Sequence, residues 1–128
     1  DYKKNAAVIE FIGEWNDCRE NDIEFLKRDI VDGLIQHGIF KFVLIGDNLL
    51  EFFFFCHDYY EEWYDDIKEK NGWIIALNFR EHIISEMQQA NIHYYISTLF
   101  FSEDLNWRKF KPLHLISFLE DKQLKILE

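Results

Sequence analysis

The chain is poor in the residues that break or cross-link a fold. Its 128 residues include one proline (Pro112), five glycines and two cysteines. With no Gly/Ser-rich linker and no internal repeat, nothing marks a boundary, and residues 1–128 read as a single domain. Cys18 and Cys56 make no disulfide framework; free thiols in a reducing compartment are the expectation. No two glycines lie within three residues of each other, which excludes phosphate-cradling glycine loops and the Gly-x-Ser-x-Gly nucleophile turn. His-Glu-x-x-His and Glu-x-x-His are missing too, so neither a zincin nor a di-metal bundle is written here.

Positive charge is also scarce. There are 14 Lys and Arg against 24 Asp and Glu, a net charge of −10. Nucleic acids and anionic membranes require clustered cations, so neither is expected as a main partner. The one dense basic stretch, Trp107-Arg108-Lys109-Phe110-Lys111, is read as balancing nearby carboxylates. No apolar run approaches the ~18–20 residues of a membrane helix, and membrane insertion is not expected. The start, DYKKNAAVIEF, lacks an apolar leader core and a small-residue cleavage site, which points to the cytoplasm.

Hydrophobic residues make up 48% of the chain and aromatics 18%, enough for an ordered core without staples. Their spacing draws the elements. Ala7–Trp15 is strand-like. Asn21-x-x-Glu24 resembles a capping box opening a helix, with Ile23, Leu26, Ile30, Val31 and Leu34 at helical steps and Gly38 as its terminator. Phe42–Ile45 and Trp73–Leu77 are short continuous apolar strands, the pattern of a sheet covered on both faces. Gly46-Asp47-Asn48 reads as a turn or cap cluster. Phe79, Ile83, Ile84, Met87 and Ala90 predict an amphipathic helix. His93–Phe100 is β-rich, placing Tyr94 and Tyr95 on opposite faces of a strand with one of them in the core. Residues 102–112 form a polar loop, and Leu113–Leu119 with Leu124–Leu127 close the chain as helix, strand or both. This alternation predicts a single layered α/β domain: a four- to five-stranded, mostly parallel or mixed sheet with three to four helices.

Glu51–Asp66, EFFFFCHDYYEEWYDD, is the densest feature. Phe52, Phe53, Cys56, Tyr60, Trp63, Tyr64 and Ile67 draw one apolar stripe, with a short extended piece running into a helix near Cys56. Asp58, Glu61, Glu62, Asp65 and Asp66 lie off it. The four-residue steps His57/Glu61 and Asp58/Glu62 suit a solvated acidic face better than a metal site, and no metal or cofactor is assigned. Neighbouring helical residues point about 100° apart, so His57 is badly aimed to activate Cys56. At the strand ends Asp47, Asn78, Arg80 and His82 are the alternative ligand set; Asp47 and Asn78 are read first as helix caps.

In order, these elements resemble a STAS domain, the fold of anti-sigma-factor antagonists and of cytoplasmic modules of anion transporters. Ile9–Asp17 (IEFIGEWND) resembles that family's strand ending in a Gly-Glu-Leu-Asp-like turn. Phe42–Asp47 (FVLIGD) resembles its central strand ending in Asp, and Asn71–Ile92 its glycine, apolar strand and following helix. The likeness spans about residues 8–100, leaving about 101–128 as a C-terminal extension. Such antagonists carry an Asp-Ser-Ser/Thr-Gly turn about eight residues after that Asp, phosphorylated on its hydroxyl. Here the place falls on Phe55, Cys56, His57 and Asp58, and no hydroxyl stands at Cys56 or His57. The resemblance therefore implies a regulatory, non-enzymatic module without the phosphoswitch. It would bind a protein, or a second copy of itself, through Cys56, His57, Asp58, Tyr59, Glu62 and Trp63. The alternative is a small-molecule-binding or enzymatic domain using the strand ends.

Overall fold

The computed structural model describes residues 6–16, 21–53, 58–98 and 106–127. Four strands pair in chain order, β1 (Ala6–Asn16), β2 (Lys41–Phe53), β3 (Trp73–Leu77) and β4 (Ser97–Thr98), and every pairing is parallel. Three full strands carry the sheet. Of the fourth, two residues fall in the described part, so four to five full strands are not reached among the described residues. Helix α1 (residues 22–36) joins β1 to β2, α2 (Asp58–Lys68) joins β2 to β3, α3 (Glu81–Gln89) follows β3, and α4 (Pro112–Leu127) ends the described chain. No helix among the described residues is long and apolar enough to cross a membrane.

The parallel sheet separates two cores. On one face Phe11, Phe42, Leu44, Ile74 and Ala76 meet Ile23, Leu26 and Val31 of α1, Tyr60, Trp63 and Ile67 of α2, and Ile83, Ile84 and Met87 of α3. On the other, Ala6, Val43, Ile45, Ile75 and Leu77 meet Leu115, Ile116 and Leu119 of α4. Continuous apolar strands arise because β2 and β3 are buried on both sides. Trp107, Phe110 and Phe118 pack against the second of these cores. Pro112 opens α4 at the position where a missing N–H costs nothing.

β2 does not stop at Ile45. It runs 13 residues, pairing with β3 as far as Ile45↔Leu77 and with β1 on to Asn16↔Phe53. Gly46-Asp47-Asn48 is therefore strand and not a turn. Two register shifts, opposite Glu10–Ile12 and Gly13–Glu14 of β1, each take up one extra residue of β2, and Gly13 takes φ +84° there. Gly46 has no room for a side chain: a Cβ would lie 2.3 Å from the Phe79 ring.

The helix ends follow one device. At α1, Gly38 (φ +85°) donates to the Ile35 carbonyl and Ile39 to Leu34, closing a Schellman turn. Asn71 (φ +59°) and Gly72 do the same at α2, bonding Lys68 and Ile67. Asn91 (φ +61°) ends α3 and leads into a 3₁₀ turn, Ile92–Tyr94. That turn replaces the first part of the expected His93–Phe100 strand. Ile92 docks in the core and accepts from the Tyr95 and Ile96 amides, so Tyr94 is 67% exposed and Tyr95 half-buried. Residues 99 and 100 lie outside the described part.

Candidate functional site

Helix α1 carries an irregularity with chemical consequences. Leu26–Val31 is π-helical, and the Asp32 amide donates to the Lys27 carbonyl five residues back. The altered turn moves Ile30, which α-periodicity places on the buried stripe, out to 40% exposure. It also sets Lys27 and Asp32, five residues apart, side by side. The Lys27 side chain is 1% exposed, and its ammonium bonds the Asp32 carboxylate, lies 2.9 Å from Asp66 and reaches Glu62 at 4.0 Å. Burial alone lowers the Lys27 pKa. The hydrogen bonds and charges of Asp32 and Asp66 outweigh that and raise it.

Arg28 extends the seam at the surface. Its guanidinium donates to Glu62 at 3.0 Å and to Asp32 at 3.4 Å, and stands 5.5 Å from the centre of the Tyr59 ring. Two cations of α1 are thus clasped by Glu62 and Asp66 of α2, which face α1 because they stand one turn apart. Tyr60 and Trp63 hold α2 from below: the Trp15 indole donates to the Tyr60 hydroxyl at 2.8 Å, and Trp63 meets Phe42 edge-on at 5.1 Å. The result is a face with Asp58 exposed and Tyr59 and Glu62 half-exposed, set on two helices pinned by the buried Lys27 and its part-exposed carboxylates.

The residues expected to bind a partner divide three ways. Asp58, Tyr59 and Glu62 share this face. Trp63 is 0% exposed and belongs to the core, where the same stripe that includes Tyr60 and Ile67 puts it. Cys56 and His57 lie outside the described residues. Lys27 and Arg28 were not foreseen. The signal for Lys27 was present, since it lies four residues after Ile23 and four before Val31, on the apolar stripe itself.

At the strand ends the four residues of the alternative set stand in different settings. Asp47, far from capping a helix, is in β2 and accepts from the Trp107 indole at 2.8 Å. Asn78 is buried in left-handed backbone, φ +61°, and the N-cap of α3 is Arg80. Arg80 is exposed, and the His82 ring is 3.2 Å from the Leu50 carbonyl. The described strands lie in chain order, with no point among them where the winding reverses, the feature that opens a ligand crevice in doubly wound sheets. The basic stretch balances a carboxylate as read: Arg108 bonds Glu10 at 3.1 and 3.2 Å.

No family model matches the chain, and no curated protein matches it in sequence. Among solved structures, the anti-sigma factor antagonist SpoIIAA in its unphosphorylated form superposes with a TM-score of 0.51 at 13% identity, over 77% of this chain and 82% of that one. The Bacillus cell fate determinant SpoIIAA in its phosphorylated form gives 0.49 at 12% identity, over 75% and 84%. The unphosphorylated form carries the comparison. The chain has a STAS-like α/β fold.

Proposed function

We propose that this chain is a non-enzymatic regulatory module that binds another protein, or a second copy of itself, in the cytoplasm. The binding surface is the α1–α2 face, with Asp58, Tyr59 and Glu62, the adjoining Cys56 and His57 of the sequence, and Arg28 contributed by α1. The observation that carries this reading is the Lys27–Asp32–Asp66 cluster, which fixes two helices as one rigid, charged and aromatic surface. The fold it shares with an anti-sigma factor antagonist, a protein that acts on a protein, supports the same class. The module works without a hydroxyl phosphoswitch. No Ser or Thr stands anywhere before Ser85, so the Asp47–Asp66 segment offers none. The small-molecule reading is less favoured, because Asp47 and His82 are held by different elements of the strand ends.

The test is affinity purification of the tagged chain from its own cells, wild type against the Asp58→Lys/Tyr59→Ala double variant. A protein, or untagged chain, recovered in near-equal amount and reduced at least tenfold with a folded variant supports the proposal. A partner retained in full by the variant, or a chain that stays monomeric and retains nothing, contradicts it.

A further inference from the structure

A separate feature lies at the other end of the sheet, where the strands begin. β4 pairs with Ile75 and Ala76 of β3, so among the described residues the first ones of that strand, Trp73 and Ile74, have no strand neighbour at their outer edge. The 3₁₀ turn carries Tyr94 and Tyr95 past this gap without filling it. What remains is a cavity of about 530 Å³, within the range of small-molecule sites.

Four rings line it: Tyr64 of α2, Trp73, Tyr94 and Tyr95. Tyr64 and Tyr95 stand with centroids 6.0 Å apart and planes inclined by 46°, an open V in place of a closed stack. The Tyr95 hydroxyl donates to Glu61 at 3.4 Å, which helps to fix its ring. Two lysines also line the cavity, and each is already neutralised, Lys41 by Glu120 at 2.5 Å and Lys68 by Asp65 at 3.0 Å. The site therefore offers π faces with donors and acceptors at the rim, the Asn71 amide among them, and no unbalanced charge that would call for an ion. Nearby Glu61 and Asp65, in a chain of net charge −10, disfavour an anion.

We infer that this cavity binds an uncharged planar heteroaromatic ring with donors and acceptors on its edge, of the size and chemistry of a purine base. Such rings stack on aromatic side chains whatever their substituents. The site is independent of the proposed partner face and stands or falls separately.

The experiment is a two-dimensional amide NMR titration of the full chain with adenosine, adenosine 5′-monophosphate and benzyltrimethylammonium. Adenosine is expected to saturate with a dissociation constant of about 0.1–1 mM. It should shift residues 64–74 and 94–97, with the monophosphate weaker. Tyr95→Ala should weaken adenosine at least tenfold and Tyr95→Phe by less than threefold; Tyr64→Ala serves in the same way if the first variant does not fold. Absence of saturable shifts with adenosine, shifts confined to other residues, tighter binding of either charged probe, or affinity unchanged in both alanine variants overturns the assignment.

Discussion

A lysine leaves water only when carboxylates leave some of it too, and Lys27 is the residue on which the α1–α2 seam turns. Its methylenes fill core while its ammonium serves Asp32 and Asp66. Replacing it by Ala removes both and should cost about 2–4 kcal/mol in urea unfolding. Lys27→Met keeps the volume and leaves part-exposed carboxylates for water to solvate, so it should stay within about 1.5 kcal/mol of wild type. The pH dependence has a definite sign. The folded pKa is raised, so the native state holds this proton more tightly. The contribution is whole below the ordinary lysine value of 10.5 and is lost as pH rises through the folded value. Stability should therefore fall from about pH 10 upward, and less steeply in Lys27→Met. The phenol of Tyr95, raised first by burial and then by Glu61, pulls in the same direction. Equal slopes for the two proteins would remove Lys27 from the explanation.

At the scale of elements, what the sequence made legible was set by periodicity, and what it hid was set by local backbone. The β3 strand and the apolar stripe of α2 were readable because burial on regular elements repeats at fixed steps. The π turn in α1 was not, because one displaced hydrogen bond leaves the residue types unchanged while moving Ile30 out to the surface. The length of β2 was hidden by Gly46-Asp47-Asn48, turn residues that here serve a strand: Gly46 makes room for Phe79, and Asp47 receives Trp107. A left-handed asparagine explains the late start of β4, since Asn91 leads into a 3₁₀ turn where alternation suggests a strand. Two substitutions test the caps and the close approaches. Asn71→Gly relieves a left-handed side chain and should stabilise by up to about 1 kcal/mol. Gly72→Ala places a Cβ 2.3 Å from the Phe40 carbonyl, a backbone atom that cannot swing aside, and should cost about 3 kcal/mol. Thermal unfolding reads both. A stabilised Gly72→Ala would mean that the α2–β3 turn is looser than its two hydrogen bonds imply.

Across the whole molecule, three crossover helices cover one face of a parallel sheet, and α4 covers the other. The second cover was the least legible part, because residues 113–127 carry short apolar runs that suit helix or strand equally. Its energetic role is plain in Leu119, fully buried against Val43, Ile45, Ile75 and Leu77. Leu119→Ala should cost about 2–4 kcal/mol. A chain ending at Lys111 should lose cooperative unfolding and bind hydrophobic dye; retained cooperativity would mean that the sheet does not need α4. The proposed partner face lies on the helices α1 and α2, and the proposed ring site at the end of the sheet where the strands begin. The most direct measurement is hydrogen exchange of the full chain with and without the protein that it captures. Slowed exchange concentrated in residues 22–32 and 58–66 is the predicted result. Protection confined to Asp47 and residues 78–82, with the α1–α2 face unchanged, would contradict the account.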